Sequence, residues 1–246
     1  MYYFVSPNSK QHNDSYSTEF EFSMNDPYPY SIKELIAMCD SGNTWAFDKL
    51  DIAYMDYEHG DFLPFALKMA DEFDYPQAYY EVYIQLLKET GDSLTTISLD
   101  SCDQDTREKA ISYLKKGADR DCIAAIDELS ELYDEGKFVL RDTIKSKGLM
   151  RKSKLLQTKL IIKGNWINEN DSTNIIAVTD STFSFLYDEN LIETYYYVVK
   201  VTDSDCILHL YGQLDTINYL IDKVTSKNLY LTNPESSHGN NYYKNK

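Results

Sequence analysis

Lys109-Ala110-Ile111-Ser112-Tyr113-Leu114-Lys115-Lys116-Gly117-Ala118 is followed, after a short polar break, by Ala125, Leu129, Leu132-Tyr133, Gly136 and Val139. In the first segment Ala110, Tyr113, Leu114, Gly117 and Ala118 recur at the three- and four-residue spacing that lines one face of an α-helix. Cys122, Ala125, Ile126, Leu129 and Tyr133 draw a second stripe of the same period, and Gly136 stops it. Small residues on facing stripes let two helices cross closely, while Leu and Tyr fill the groove left between neighbours. The stretch therefore predicts a helical hairpin.

Upstream, the same spacing recurs. Ala46-x3-Leu50-x2-Ala53-Tyr54 with Gly60, and Ala78-x3-Val82-Tyr83 with Gly91, repeat the small-large order of Ala125-x3-Leu129-x3-Tyr133 with Gly136. Ser31-Ile32-Lys33-Glu34 has the Ser-x-x-Glu form of a capping box, so a helix is expected from there to about Asp40, before Gly42. Ala66, Met69, Ala70 and Phe73 predict a shorter helix. Pro76 suits the first turn of the next, whose stripe is Ala78, Tyr79, Val82, Tyr83, Leu86 and Leu87. Residues 92–105 break the rhythm and read as an inserted loop, and a more basic helix is expected over Leu140 to Leu156. Residues 1–30, rich in Tyr, Ser and Asn and closed by Asp26-Pro27-Tyr28-Pro29, read as an extended arm.

The hairpin of residues 109–139 resembles the Sel-one-like repeat, a relative of the tetratricopeptide repeat, whose units carry alanines, a Leu-Tyr pair and glycines in this order. The resemblance covers roughly residues 31–152 by its periodicity, with one good unit and others that lack several glycines. It implies an αα superhelix used as a protein-binding scaffold. The helical repeat domain is accordingly placed at 31–156.

Beyond Lys159 the period changes to alternation. Leu160 to Trp166 is expected to open a strand; Phe183, Phe185 and Tyr187 alternate with polar or outward positions, and Tyr195, Tyr197, Val199 and Val201 share one face of another. Cys206 to Tyr211, Ile217 to Ile221 and Leu229 to Leu231 supply three more, separated by Asp188-Glu189-Asn190, Thr202-Asp203-Ser204-Asp205 and Thr225-Ser226-Lys227-Asn228. Short strands joined by polar turns predict a small antiparallel β-barrel or sandwich over 157–233, and an α+β, two-domain chain as a whole. Gly164-Asn165-Trp166, the later Phe-x-Phe and the pair 219–224 and 229–231 resemble bacterial lipocalin-like domains, in which a Gly-x-Trp near the first strand plugs one barrel end. The segment is short for eight full strands, which favours a barrel filled by its own side chains. Residues 234–246 read as a flexible polar tail.

Of the formal net charge of −16, residues 1–150 carry 14 Lys+Arg against 29 Asp+Glu, and residues 151–246 carry 10 against 11. An acidic surface repels phosphate backbones and anionic lipids and steers basic partners toward itself, which argues against nucleic-acid and membrane binding. The four cysteines, Cys39, Cys102, Cys122 and Cys206, lack metal or redox spacing. With an opening Met1-to-Pro7 segment unlike a secretory signal, they predict a cytoplasmic protein, bacterial by its resemblances.

Signals for catalysis are sparse. His12 and His238 fall in the expected arm and tail, His59 suits a helix-capping turn, and His209 shares a strand face with Ile207 and Tyr211, where a hydrogen-bonded barrel histidine is expected. Asp51, Asp56, Glu58 and Asp61 lack the rhythm of a calcium loop and read as a solvated face. No phosphate loop, dinucleotide fingerprint or nucleophile elbow occurs, so no catalytic, cofactor or metal site is expected. The 22 tyrosines are unusual, and tyrosine offers large, rigid contact area with a polar tip. Tyr80, Met55 and Asp56 fall off the buried stripes; with Glu58 and Asp61 they are the expected contacts to a basic protein. The expected function is a non-enzymatic protein-protein interaction scaffold. In concrete form it is an intracellular immunity protein neutralising a basic toxin. The alternative is binding of a small apolar ligand by the β domain.

Overall fold

The computed structural model describes residues 30–56, 61–88, 98–213, 215–234 and 238–245. Among them, seven helices precede a closed barrel of eight antiparallel strands, an α+β arrangement in two parts. The chain divides into two compact units, before and after the Tyr75–Pro76 bond. The boundary expected at 156 lies within a helix.

The first unit holds α1 (Ile32–Asp40), α2 (Thr44–Asp56) and α3 (Leu63–Asp71). The capping box forms as expected: the Ser31 amide donates to Glu34 Oε2 at 2.7 Å, while the Glu34 amide donates to Ser31 Oγ at 3.3 Å. Gly42, at φ +84°, turns the chain into α2 in a conformation that side-chain-bearing residues rarely adopt. Leu35, Ala46, Phe47, Leu50, Ala53, Ala66, Met69 and Ala70 are buried. Phe62 brings its ring to 5.3 Å from both Phe47 and Tyr54. These residues of the expected stripes form the core of this unit, whereas Phe73, expected on the third stripe, lies past the end of α3 and is 40 % exposed.

Burial, followed by the adjacent Asp40 carboxylate, pushes the Cys39 thiol up to about 11. An unfolded thiol ionises from its ordinary value of 9.0, so this contribution to stability is intact below that pH and is lost as the pH rises toward about 11. Denaturant titrations at pH 8 and at about pH 10.5 are expected to show a drop that Cys39→Ala reduces. An equal drop in both proteins would remove this thiol as the cause.

The second unit begins with α4 (Pro76–Lys88), followed by α5 (Gln104–Asp119), α6 (Ile123–Glu135) and α7 (Thr143–Ile162). Asp103 caps α5, accepting from the Thr106 amide at 2.9 Å, which places the helix start at the end of the expected 92–105 loop. Residues 92–97 of that loop, with 89–91 before it, lie outside the described residues. The Gly117 position explains the close crossing: a Cβ there would stand 3.0 Å from Ala125 Cβ and 3.2 Å from Tyr79 Cβ. Gly136, at φ +71°, ends α6 as the spacing predicts. α7 runs six residues past its expected end, so Leu160-Ile161-Ile162 is its last turn and not the opening of a strand. Ile162 is fully buried within the barrel core, where helical continuation serves better than an extended chain.

The barrel strands are β1 (Gly164–Asn168), β2 (Asn174–Val178), β3 (Thr182–Tyr187), β4 (Asn190–Val201), β5 (Cys206–Tyr211), β6 (Thr216–Val224), β7 (Asn228–Asn233) and β8 (His238–Lys244). Each pairs with its sequence neighbours, and β8 closes on β1 through Trp166↔Lys244 and Ile167↔Tyr243. Asp188 and Glu189, both at positive φ, form the tight turn between β3 and β4, whose twist matches the flanking strands. Inside, Trp166, Ile176, Phe183, Leu208, Leu210, Leu229 and Leu231 are at most 2 % exposed. The interior is therefore occupied by side chains.

Two expectations about this half are corrected. Residues 238–244, read as part of a flexible tail, form β8, and the β domain expected over 157–233, which holds seven strands, becomes an eight-stranded barrel only with it. β8 buries Tyr242 and is otherwise polar; pairing its backbone with both β1 and β7 holds it in place. A strand stabilised by main-chain pairing on both sides needs little apolar alternation.

Candidate functional site

The charges of the second unit are sorted by helix. α6 carries Asp127, Glu128, Glu131, Asp134 and Glu135 and no Lys or Arg; α7 carries Lys145, Lys147, Arg151, Lys152, Lys154 and Lys159 and no Asp or Glu. Asp127, Glu131 and Asp134 are exposed and spaced by four and three residues, so they share one helix face.

α7 changes its packing partner along its length. Ser146 and Ser153 are buried, small enough for close packing beside α6, and Thr158 and Ile162 are buried toward the barrel. Cys206 Sγ, on β5, lies 3.9 Å from Thr158 Oγ1. The Trp166 indole Nε1 donates to the Ile162 carbonyl at 2.6 Å, satisfying a helix-end acceptor from within the barrel.

Beside α7, the outer surface of β4 and β5 forms an open groove of about 660 Å³. Alternation along β4 turns Tyr195, Tyr197, Val199 and Val201 inward, as the sequence predicts, and so turns Tyr196, Val198 and Lys200 outward. Across the strand pair, Tyr196 lies opposite Tyr211, Val198 opposite His209, and Lys200 opposite Ile207. Leu155, Val198 and Tyr211 line the groove, with Arg151, Lys152 and Lys200 among the other lining residues and no Asp or Glu. Arg151 Nη1 pairs with Asp203 at 3.0 Å; Lys152 Nζ pairs with Asp121 at 2.6 Å and donates to the Ala118 carbonyl at 2.7 Å. His209 Nδ1 is 2.7 Å from Asn218 Oδ1 and its ring stacks on Tyr211, the hydrogen-bonded barrel histidine expected from its strand position.

Among the aromatic and aliphatic side chains of β3 to β5, Tyr187, Leu191, Ile192, Tyr196, Val198 and Tyr211 are exposed, Tyr196 to 71 %. Exposed tyrosine in this unit belongs to the barrel. Tyr79, Tyr83 and Tyr113 on the helices are buried instead.

The residues expected to contact a partner are differently placed. Met55 and Asp56 end α2, with side chains outside the described residues, and Glu58 lies outside them altogether, as do His12 and His59. Asp61 is exposed, and its Oδ1 accepts from the Leu63 amide at 2.8 Å, so it tethers the start of α3. Tyr80 is half-buried on α4 with its ring 6.0 Å from that of Tyr83, and burial, aided by Glu128, holds its hydroxyl above the ordinary tyrosine range. Tyr83 donates to Glu128 Oε1 at 2.8 Å. His238 belongs to β8. Among the described residues no three His, Cys, Asp or Glu gather as a metal site, and no helix is long and apolar enough to cross a membrane.

Sequence reasoning missed the groove. Its outward β4 residues were implied by the inward alternation, but nothing local to residues 196–200 signals that α7 lies beside them. Comparison of the chain with family models, curated proteins and solved structures finds no match.

Proposed function

We propose that the chain is a protein-protein interaction scaffold without catalytic activity. The observation that carries this reading is the exposure of Tyr187, Leu191, Ile192, Tyr196, Val198 and Tyr211 on a barrel whose interior is already filled. Exposed apolar surface rich in tyrosine is the composition of protein interfaces. The acidic face of α6 supports a basic partner, since it offers three exposed carboxylates on one side of a helix. The α5–α6 hairpin, with Gly117 and Ala125 in close approach, supports its reading as a Sel-one-like unit, and the Gly164-Asn165-Trp166 plug supports a lipocalin-like barrel. An immunity protein that neutralises a cationic toxin in the cytoplasm is the version that joins these features. The alternative, a small apolar ligand inside the barrel, has less support, because Trp166, Phe183 and Leu208 occupy that volume.

The test uses the full chain carrying a photo-crosslinking residue in place of Tyr196 or of Glu131, expressed in its native cell. A discrete adduct with one basic protein is expected at both positions. Tyr196→Ala should then weaken the purified pair at least about tenfold, in the range of an interface aromatic, with the melting temperature unchanged. The absence of a specific adduct at either position overturns the reading.

A further inference from the structure

We infer that the groove between α7 and the outer face of β4–β5 is a docking site for a polypeptide segment bearing apolar side chains flanked by carboxylates. The inference rests on the scaffold reading for the kind of partner, and on the groove itself for the chemistry. The chain has 40 Asp+Glu against 24 Lys+Arg, yet the groove lining holds Arg151, Lys152 and Lys200 and no carboxylate. In a protein of this sign, a local excess of cations beside an apolar floor selects an occupant of opposite charge, since like charges across an interface cost affinity. Lys152 is held by Asp121, and Arg151 is shared with Asp203 at the β4–β5 turn. Lys200, exposed on β4, has no ion-pair partner among the described residues, so it is the cation left for a ligand carboxylate.

The floor is apolar and accessible. Val198 is 51 % exposed and Tyr211 45 %, and Leu155 supplies the α7 side. Gly148, which also lines the groove, leaves its rim open: a Cβ there would meet nothing within 4 Å. Side chains carry the recognition: Val198 and Lys200 face outward on β4, which pairs with β5 over Tyr196–Val201 and with β3 only as far as Tyr196. The acidic face of α6 would steer a basic body, whereas this groove would take an acidic, apolar segment. Recognition at the two places therefore has opposite charge dependence.

The experiment selects random 12-residue peptides displayed on phage against the folded full chain and measures the selected peptides by fluorescence anisotropy. The expected consensus has Asp or Glu flanking Leu, Ile or aromatic residues. Lys200→Glu and Val198→Glu should each weaken binding at least tenfold, while Lys33→Glu, an equal change of charge on α1, should not. If Val198→Glu disturbs folding, Lys200→Glu together with Arg151→Glu carries the test. No enrichment, a basic or uncharged consensus, or acidic peptides indifferent to these substitutions overturns the inference. A partner crosslinked at 196 whose affinity ignores Lys200→Glu sinks this inference and spares the scaffold reading. An acidic peptide bound in the groove without any cellular adduct does the reverse.

Discussion

Trp166→Ala is expected to destabilise the second unit by about 4 kcal/mol, the middle of the range for truncating a buried aromatic. Trp166 is fully buried within the barrel core, and its indole Nε1–H donates to the carbonyl of Ile162 at the last turn of α7. Truncation leaves a large cavity and also strands a buried acceptor, two penalties with separate physical origins. Trp166→Phe fills most of the volume but cannot donate, so it should cost about 1–3 kcal/mol, the penalty of an unsatisfied buried group. Urea denaturation followed by circular dichroism checks both values. If Trp166→Ala lost less than Trp166→Phe, the plug at the helix–barrel junction would not be the source of stability assigned to it.

Gly117→Leu should cost about 3 kcal/mol, by overpacking where there is no volume to fill. The Cβ alone would stand 3.0 Å from Ala125 Cβ and 3.2 Å from Tyr79 Cβ, and the remaining carbons would force α5 from α4 or α6. Gly148→Ala is the counter-case. It lies inside α7 with free space around its Cβ, so replacing the least favourable non-proline helix residue should stabilise by up to about 1 kcal/mol. Thermal melts of the two variants should move in opposite directions. Stabilisation of similar size in both would mean that helix propensity, and not the close crossing, governs the Gly117 position.

Helix starts and stops were legible where chemistry is local. Ser31 and Glu34 satisfy each other's end groups within one turn, and Gly136 adopts the left-handed conformation that ends α6. Buried stripes were legible for the same reason, since residues three and four apart share a helix face and residues two apart share a strand face. The errors lie where local pattern and tertiary need diverge. Leu160-Ile161-Ile162 is as apolar as a strand, yet it ends α7 because Ile162 enters the barrel core and its carbonyl is met by Trp166. His238-Gly239-Asn240-Asn241-Tyr242-Tyr243-Lys244 is as polar as a tail, yet two neighbouring strands satisfy its backbone.

The groove has the same origin as those errors. Lys200 and Arg151 are far apart in sequence, and the six cations of α7 read only as a basic helix until β4 is laid beside it. Tyr80, chosen for falling off a helical stripe, is half-buried, whereas Tyr196, on the outward face implied by β4 alternation, is the exposed ring. By itself the order of residues determined the helical first part, the β-rich second part, the inward faces and the acidic bias, because each depends on neighbours within a turn or a strand. Only the tertiary structure decided that the barrel closes through residues 238–244, and that a cation-lined groove forms beside α7. Strand pairing around a ring and helix-on-sheet packing are set by contacts between distant segments, which no local period encodes.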